Sequence, residues 1–396
     1  MSFTPTEVDF LRAHASDIAT SLAQRCLTKE NSVADAEFFR QQYGEFGRAV
    51  MELATARTKS SGKLPADWLV CNESAQQATP LLVADIRAER IHAVMQDALI
   101  HDVTCSIGTE GAAIRSYGMD YLGSDIDFSR LKMAKYNQEI VEKRVAIEQL
   151  GWCGIVASDA LKPGVADAAG VVIADPARRS GGRRIAKPED LIPPLSSVIS
   201  AYRYPELAIK CAPGLDFSSW DGLVSVVSLN GGVKEACLYT PGLGLGVRRE
   251  AVIIRDGAAE NNVIDNTHPD DVEVSPPGRF IIDPDGAIVR AGLVRHYANR
   301  EALWMLDERI AYLTGDKIPA GASGFEYIET VSLKKLKSVL RSYDCGSVEI
   351  LVRGLDIDPD VLRKKLKLTG STKLAVVLTR IGSAGVALVC KARQWA

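Results

Sequence analysis

The sequence predicts an α/β fold: a doubly wound, mostly parallel sheet, preceded by a helical N-terminal domain and followed by a small α/β module. Three observations predict it. Residues 1–95 carry only helical periodicity. From His101 to about residue 229, short apolar runs alternate with helical patterns, the signature of strands joined by helical crossovers. Residues 324–396 read strand, helix, strand, helix, strand, strand.

Taken in order, Thr6 is placed to cap a helix whose apolar positions Val8, Leu11, Ala15, Ile18, Leu22 and Cys26 recur at three and four. A second helix is expected over 33–56, ending in the breaker-rich stretch 58–65. A third begins near Asn72 and carries Leu81, Leu82, Ala84, Ile86 and Ile91. No catalytic constellation stands out in this region, which reads as a cap or partner-facing domain. Strands are expected at 102–105, 121–124, 154–158, 170–174, 207–210 and 223–229, with helices at 110–116, 128–149 and 189–201. Residues 256–322, rich in Pro, Asp and Gly, read as a connector with one helix at 299–313. The tail predicts strands at 325–330, 347–353, 373–380 and 385–391 and helices at 332–343 and 359–367. The expected domains are therefore 1–95, 96–255, 256–322 and 323–396.

The chain has 396 residues and 46% apolar content, enough for two to four packed domains. With 47 Lys+Arg against 50 Asp+Glu, its net charge of −3 excludes a basic coat over the whole surface. The charge is uneven, however: residues 324–396 hold 13 Lys+Arg and 7 Asp+Glu, a balance of +6, which leaves −9 on the rest. Glu7 and Asp9 interrupt any cationic-then-apolar leader pattern. The apolar stretch 374–390 is broken by Thr379, Arg380 and Ser383, so no membrane association is expected. The 8 cysteines are scattered without a Cys-x-x-Cys pair and the 5 histidines are dispersed, which predicts reduced cytoplasmic thiols and no metal site.

The first chemical motif is Asp102-Val-Thr-Cys105-Ser106-Ile-Gly108-Thr109-Glu110-Gly111, a strand entering a small-residue turn and then a helix. Glycine lets backbone approach a ligand, and a helix start offers unpaired N–H groups. It is not the full Gly-x-Gly-x-x-Gly dinucleotide fingerprint. Next comes Gly123-Ser-Asp125-Ile126-Asp127, where a carboxylate can accept from both ribose hydroxyls of a nucleoside. Ser158-Asp159-Ala160 closes the third strand, where Asp159 can accept from an adenine amino group. Asp also caps helices, and at this point that reading stands beside the ligand one, above all for Asp127. The fourth motif, Asp175-Pro176-Ala177-Arg178-Arg179, follows an apolar strand. Proline removes an N–H and fixes φ, which turns backbone carbonyls toward an acceptor.

The order Asp102, Gly108, Asp125, Asp159, Asp175-Pro176 resembles class I S-adenosylmethionine-dependent methyltransferases, whose sheet is Rossmann-like. The glycine turn, Asp175-Pro-Ala-Arg-Arg and Lys210-Cys-Ala-Pro-Gly-Leu-Asp216 resemble more narrowly a bacterial methyltransferase family with a C-terminal THUMP-like domain. The likeness spans about residues 100–250 and 324–396. It implies S-adenosylmethionine as methyl donor and RNA, a tRNA or rRNA, as acceptor. Asp102, Cys105, Ser106, Gly108, Thr109, Glu110, Gly111, Asp125, Ile126, Asp159 and Ala160 would then bind cofactor, and Asp175, Pro176 and Arg178 would serve catalysis. Relatives that methylate exocyclic amino groups place an aromatic after Pro-Pro; Ala177-Arg178 stands here instead, and an Arg plane can stack on a base or grip phosphate. Asp-Pro-x-Arg is also similar to uracil-C5 RNA methyltransferases, which attack with a cysteine; Cys211 stands at a comparable place, without the surrounding Ser-Cys-Asn-Pro.

Arg178, Arg179, Arg183, Arg184 and Lys187 put five cations in ten residues beside the expected acceptor site. In the tail, Lys334, Lys335, Lys337 and Arg341 line one helix, and Arg363, Lys364, Lys365 and Lys367 the next. Surface helices are often Lys-rich, but on a module of +6 these residues point to RNA backbone contact. Competing readings are the same fold acting on a protein or small molecule, and a non-catalytic RNA-binding protein with a degenerate cofactor fold. Neither the oligomeric state nor the target base is legible.

Overall fold

The computed structural model describes residues 3–28, 30–145, 149–162, 164–165, 168–176, 179–180, 183–184, 188–202 and 205–396. They form two compact units, residues 1–229 with 234–246 and residues 230–233 with 247–396.

The first unit opens with helices α1 (Pro5–Ala13), α2 (Ala15–Ala23), α3 (Ser32–Tyr43), α4 (Gly47–Lys59), α5 (Asn72–Gln77) and α6 (Leu81–Met95). The first cap is Thr4, not Thr6. Thr4 Oγ1 accepts the Glu7 N–H at 3.2 Å and Glu7 Oε2 accepts the Thr4 N–H at 2.8 Å, while Pro5 takes the first helical position. The single helix expected over 33–56 is split, because Gly44 turns the chain with φ +56° and folds α4 back on α3. Phe3, Val8, Leu11, Phe39, Leu53 and Trp68 build the helical core, joined by Ile107, Ala112, Met133 and Ile140 from the sheet domain. The helices thus pack against the β1–α7 turn and helices α7 and α8.

The sheet follows as β1 (Ile100–Asp102), α7 (Thr109–Ser116), β2 (Tyr121–Asp125), α8 (Phe128–Arg144), β3 (Cys153–Ala157) and β4 (Val171–Ala174). After it come the short hairpin β5 (Arg179–Ser180) and β6 (Arg183–Arg184), then α9 (Leu195–Ala201), β7 (Glu206–Cys211), β8 (Leu223–Leu229), β9 (Gly232–Tyr239) and α10 (Pro241–Gly244). Within this unit the order is β8-β9-β7-β4-β1-β2-β3. β1 pairs in parallel with β2 and β4, β2 with β3 and β4 with β7, while β9 runs antiparallel to β7. The chain leaves β1 toward β2 and returns on its other side at β4, so the switch in strand order lies beside β1. The helix expected over 189–201 begins only at Leu195, because Pro194 stands at its N-cap and the residue before a proline is held out of the α region.

The second unit starts with β10 (Arg249–Ile254), antiparallel to β11 (Asn262–Asp265). β12 (Phe280–Ile282), α11 (Gly286–Ala291), α12 (Val294–Arg300), β13 (Trp304–Asp307) and β14 (Ile310–Gly315) come next. The helix expected at 299–313 is therefore incorrect. α12 stops at Arg300, Ala302 turns the chain at φ +54°, and 304–315 form a hairpin whose second strand pairs with β12. The apolar run Leu303–Leu306 fits either period, and pairing with a neighbouring strand decides it. β15 (Ser323–Ser332), α13 (Leu336–Ser342), β16 (Cys345–Val352), α14 (Pro359–Leu366), β17 (Thr372–Ile381), β18 (Ala384–Lys391) and β19 (Gln394–Trp395) complete the chain. The sheet order is β13-β14-β12-β15-β18-β17-β16, with β19 beside β15. Among the described residues no helix is long and apolar enough to cross a membrane.

Candidate active site

Strand register sets the site. Asp102 stands opposite Gly123 of β2 and Ile173 of β4, and Asp125 opposite Ala157 of β3, so the acidic ends of β1, β2 and β3 and the start of Asp175-Pro176 share the carboxyl edge of the sheet. Ala174 pairs with Ile209, which puts Lys210 level with Asp175.

The turn between β1 and α7 is rigidly held. Ser106 takes φ +49° and Gly108 φ +84°. A Cβ at Gly108 would come 2.9 Å from Gln138 Nε2, whose amide donates to the Gly108 carbonyl at 2.8 Å; Asn137 Nδ2 donates to the Ile107 carbonyl at 3.0 Å. Gly111 is equally constrained, since a Cβ there would lie 2.5 Å from a Tyr121 ring carbon. No side chain caps α7, whose N-cap is Gly108. Thr109 and Cys105 are buried, and burial together with Asp102 and Asp125 pushes the Cys105 thiol well up.

Asp125 is half-buried. Its Oδ2 accepts the Ser106 N–H at 3.0 Å and its Oδ1 the Asp127 N–H at 2.9 Å, which fixes the carboxylate and leaves each oxygen a further lone pair. Beside it Ile126 is 79% exposed, an apolar residue standing in water next to a fixed carboxylate. Asp127 is a helix cap, its Oδ1 accepting from the Ser129 and Arg130 N–H groups. Asp159 is exposed and accepts the Leu161 N–H at 2.9 Å, while the Ala160 carbonyl accepts Tyr202 Oη–H at 2.7 Å. A glycine turn at an uncapped helix start, a fixed carboxylate with spare acceptor capacity and an exposed apolar neighbour fit an adenosine-containing ligand.

Asp102 is buried, with Tyr121 Oη–H and the Thr104 N–H each donating to it at 3.1 Å. Burial, aided by the Glu110 charge, raises its carboxyl to about 7. Thr104 ties the ends of two strands together, because its Oγ1 also accepts the Asp175 N–H at 2.7 Å. Its neighbour His101 is buried on Ser124 Oγ at 2.9 Å, and burial lowers its imidazole to about 4.

A buried ionic chain was not anticipated. Arg87 of α6 donates from Nε and from a terminal nitrogen to the two oxygens of Glu110, at 3.0 Å each, and to Glu235 of β9 at 2.8 Å. Lys210 Nζ lies 3.2 Å from Glu110 Oε1 and 2.8 Å from Asp175 Oδ2, and donates to Thr79 Oγ1. Burial opposes charge on both partners, yet the cations Arg87 and Lys210 hold the Glu110 carboxyl below its usual range, and Asp175 and Glu110 hold the Lys210 ammonium above its own. Glu110 thus joins the turn through its backbone, while its carboxylate faces Arg87 and Lys210. The region read as a cap without chemistry delivers Thr79 and Arg87 to this chain. Two signals were present: Arg87 shares the α6 stripe of Ala84, Ala88 and Ile91, and Lys210 interrupts the otherwise apolar buried run 207–211.

Pro176 is buried, and Cys211, at 0% exposure, is buried within β7. Arg178 and Lys187 lie outside the described residues; Arg179 pairs with Arg184, and Ser180 with Arg183, across the β5–β6 hairpin. Lys334 and Lys335, just ahead of α13, and Lys364 and Lys365 of α14 are exposed, and Lys337 Nζ of α13 donates to the Lys365 carbonyl at 3.3 Å. Among the described residues no group of three His, Cys, Asp or Glu is placed to hold a metal ion.

The parallel strand order with a switch at β1, the glycine turn after it and an antiparallel strand beyond β7 define the class I methyltransferase fold. A crystal structure from Porphyromonas gingivalis W83, described as that of a candidate methyltransferase, superposes with a TM-score of 0.69, covering 94% of this chain and 100% of that one at 14% identity. Residues 322–392 match the family model described as THUMP domain-like. Two Mycobacterium tuberculosis proteins, from strains CDC 1551 / Oshkosh and ATCC 25618 / H37Rv, are described as uncharacterized S-adenosylmethionine-dependent methyltransferases. Each is 43% identical over 373 residues, covering 89% of this chain and 99% of theirs. The chain belongs to this family of S-adenosylmethionine-dependent methyltransferases, and S-adenosylmethionine is its cofactor.

Proposed function

We propose that the enzyme methylates a base nitrogen of RNA, a tRNA or rRNA, in the cytoplasm. The observation that carries this reading is the Asp175 carboxylate, held by Lys210 at the carboxyl end of β4 and one-quarter exposed, followed by buried Pro176. S-adenosylmethionine supplies an electrophilic methyl group on a positively charged sulfur. Gly108, Gly111 and the backbone of Ser106, Thr109 and Glu110 would shape its amino-acid pocket, and Cys105 and Asp102 would line the floor. Asp125 would hold the ribose, Ile126 the adenine face, and Asp159-Ala160 the adenine edge.

Asp175 would accept a hydrogen bond from the acceptor amino group and aim its nitrogen lone pair. Arg178 would stack on the base or grip the adjoining phosphate. Transfer to an amino nitrogen needs chiefly positioning and exclusion of water. It needs no strong base, which suits a carboxylate already paired with an ammonium. Burial of Cys211 favours nitrogen over ring-carbon transfer, since carbon methylation requires an accessible nucleophile. RNA as acceptor is supported by the THUMP domain-like match and by Lys334, Lys335, Lys364 and Lys365, which are exposed, with half-buried Lys337 between them. Arg179, Arg183 and Arg184 would add phosphate contacts.

The test incubates bulk RNA from a strain lacking this gene with purified enzyme and radiolabelled S-adenosylmethionine, then identifies the labelled nucleoside. A labelled N-methyl purine or cytosine supports the reading. Labelled 5-methyluridine moves Cys211 to the centre. No label, with cofactor still bound, ends the RNA assignment in favour of a protein or small-molecule acceptor.

A further inference from the structure

We propose that Lys210 is the positioning residue of the acceptor site, holding Asp175 from within the protein, and that the helical segment before the sheet anchors it there. The proposal rests on Asp175 serving the acceptor. The geometry is specific. Along the chain Glu235, Arg87, Glu110, Lys210, Asp175, the first four side chains are between 2% and 6% exposed, whereas Asp175 is 25% exposed. Asp175 is therefore where a buried ionic chain reaches the surface at the carboxyl edge of the sheet.

Each of the three hydrogens of the Lys210 ammonium has an acceptor in a different part of the fold: Asp175 after β4, Glu110 at the start of α7, and Thr79 just ahead of α6. Three such contacts fix the nitrogen in space. The Asp175 backbone is fixed independently, by its N–H on Thr104 Oγ1. With backbone and one carboxylate oxygen both held, the carboxylate has little rotational freedom and needs little reorganisation to meet an acceptor group. Glu110 cannot drift toward the cofactor turn and break the arrangement, because Arg87 holds both of its oxygens. A helix N-terminal to the sheet is in this way built into the acceptor site, which gives the helical segment a role beyond packing on α7 and α8.

The test uses the full-length enzyme with Lys210→Met, Lys210→Arg and Thr79→Val. Crystal structures with S-adenosylhomocysteine read the position of Asp175 without needing any acceptor. The expected result is that the Asp175 carboxylate leaves its wild-type position in Lys210→Met and retains it in Lys210→Arg. With the labelled RNA of the preceding assay, kcat should fall ~100-fold in Lys210→Met and recover to within ~10-fold of wild type in Lys210→Arg. The dissociation constant for S-adenosylmethionine should change less than about threefold in both.

An unmoved Asp175 in Lys210→Met would overturn the proposal, as would equal losses in cofactor affinity and turnover. If Lys210→Met does not fold, Thr79→Val decides: it keeps both charges and should still displace the ammonium and lower kcat several-fold. An Asp175 and a kcat unchanged in Thr79→Val would overturn the proposal in that case. Failure of RNA methylation by wild type, with Asp175 displaced in Lys210→Met, would separate loss of the RNA reading from loss of this one.

Discussion

Arg87 and Glu110 form a two-armed ion pair, with both bonds at 3.0 Å and side chains 2% and 5% exposed, between a helix that precedes the sheet and the helix that follows its glycine turn. Such a fork is among the stronger hydrogen-bonded arrangements available to side chains. Its removal leaves charge in a dry interior. Arg87→Met should therefore destabilise the unit by about 3–5 kcal/mol, because Glu110 and Glu235 lose their shared cation. Urea unfolding measures this. A loss under about 1 kcal/mol would mean that water replaces the guanidinium and that the pair is not buried as described.

The glycine turn tolerates no side chain at two places. Gly108→Ala forces a left-handed residue against Gln138, and Gly111→Ala drives a methyl group into the Tyr121 ring. Overpacking of this kind costs about 1–3 kcal/mol. Both variants should bind S-adenosylmethionine more weakly in calorimetry, Gly111→Ala with the larger loss of stability. Wild-type affinity in both would show that the turn does not contact the cofactor.

Asp125→Asn keeps the side-chain size but replaces one acceptor oxygen by a donor, opposite a backbone N–H that already needs an acceptor. Cofactor affinity should fall by at least ~10-fold, and Asp125→Ala should abolish measurable binding. Equal affinity in all three proteins would remove the ribose role.

His101 and Asp102 are neighbours whose protonation acts on stability in opposite senses. The unfolded chain holds more protons at His101 between about pH 4 and 6.5, so that residue makes stability rise with pH. The folded chain holds more at Asp102 between about pH 4 and 7, so stability falls as pH rises through that window. In the wild type the two slopes largely offset one another. Asp102→Asn removes the falling one, and the gain of the variant over wild type should grow from about pH 5 to about pH 8. A constant difference between the two proteins at both pH values would contradict an Asp102 carboxyl raised by burial.

If the exposed lysines of the tail meet RNA phosphates, replacing Lys334, Lys335, Lys364 and Lys365 by Ala should weaken RNA binding without sequence preference. The slope of log affinity against log salt should become shallower by roughly 0.7 per lost contact. Filter binding across a salt series reads it. An unchanged slope would place the RNA elsewhere.

Much of this protein is legible in its sequence because the signals are local. Asp125, Asp159 and Asp175-Pro176 each follow an apolar strand, and Gly108 stands where chain direction must reverse, so the order of strand ends points to the fold and to an adenosine-containing cofactor, while the family resemblance supplies S-adenosylmethionine. The tail pattern likewise follows from period and breakers alone. The hairpin at 304–315 is not legible, since one apolar run satisfies helix and strand until pairing with β12 decides. Nor is the role of Arg87, Glu110, Lys210 and Thr79, which lie far apart in the chain. A charged residue within an apolar stripe signals a buried partner without naming it. Only tertiary packing brings two cations and their carboxylates into a region of low dielectric, where each must be paired, and so decides that the helices before the sheet reach Asp175.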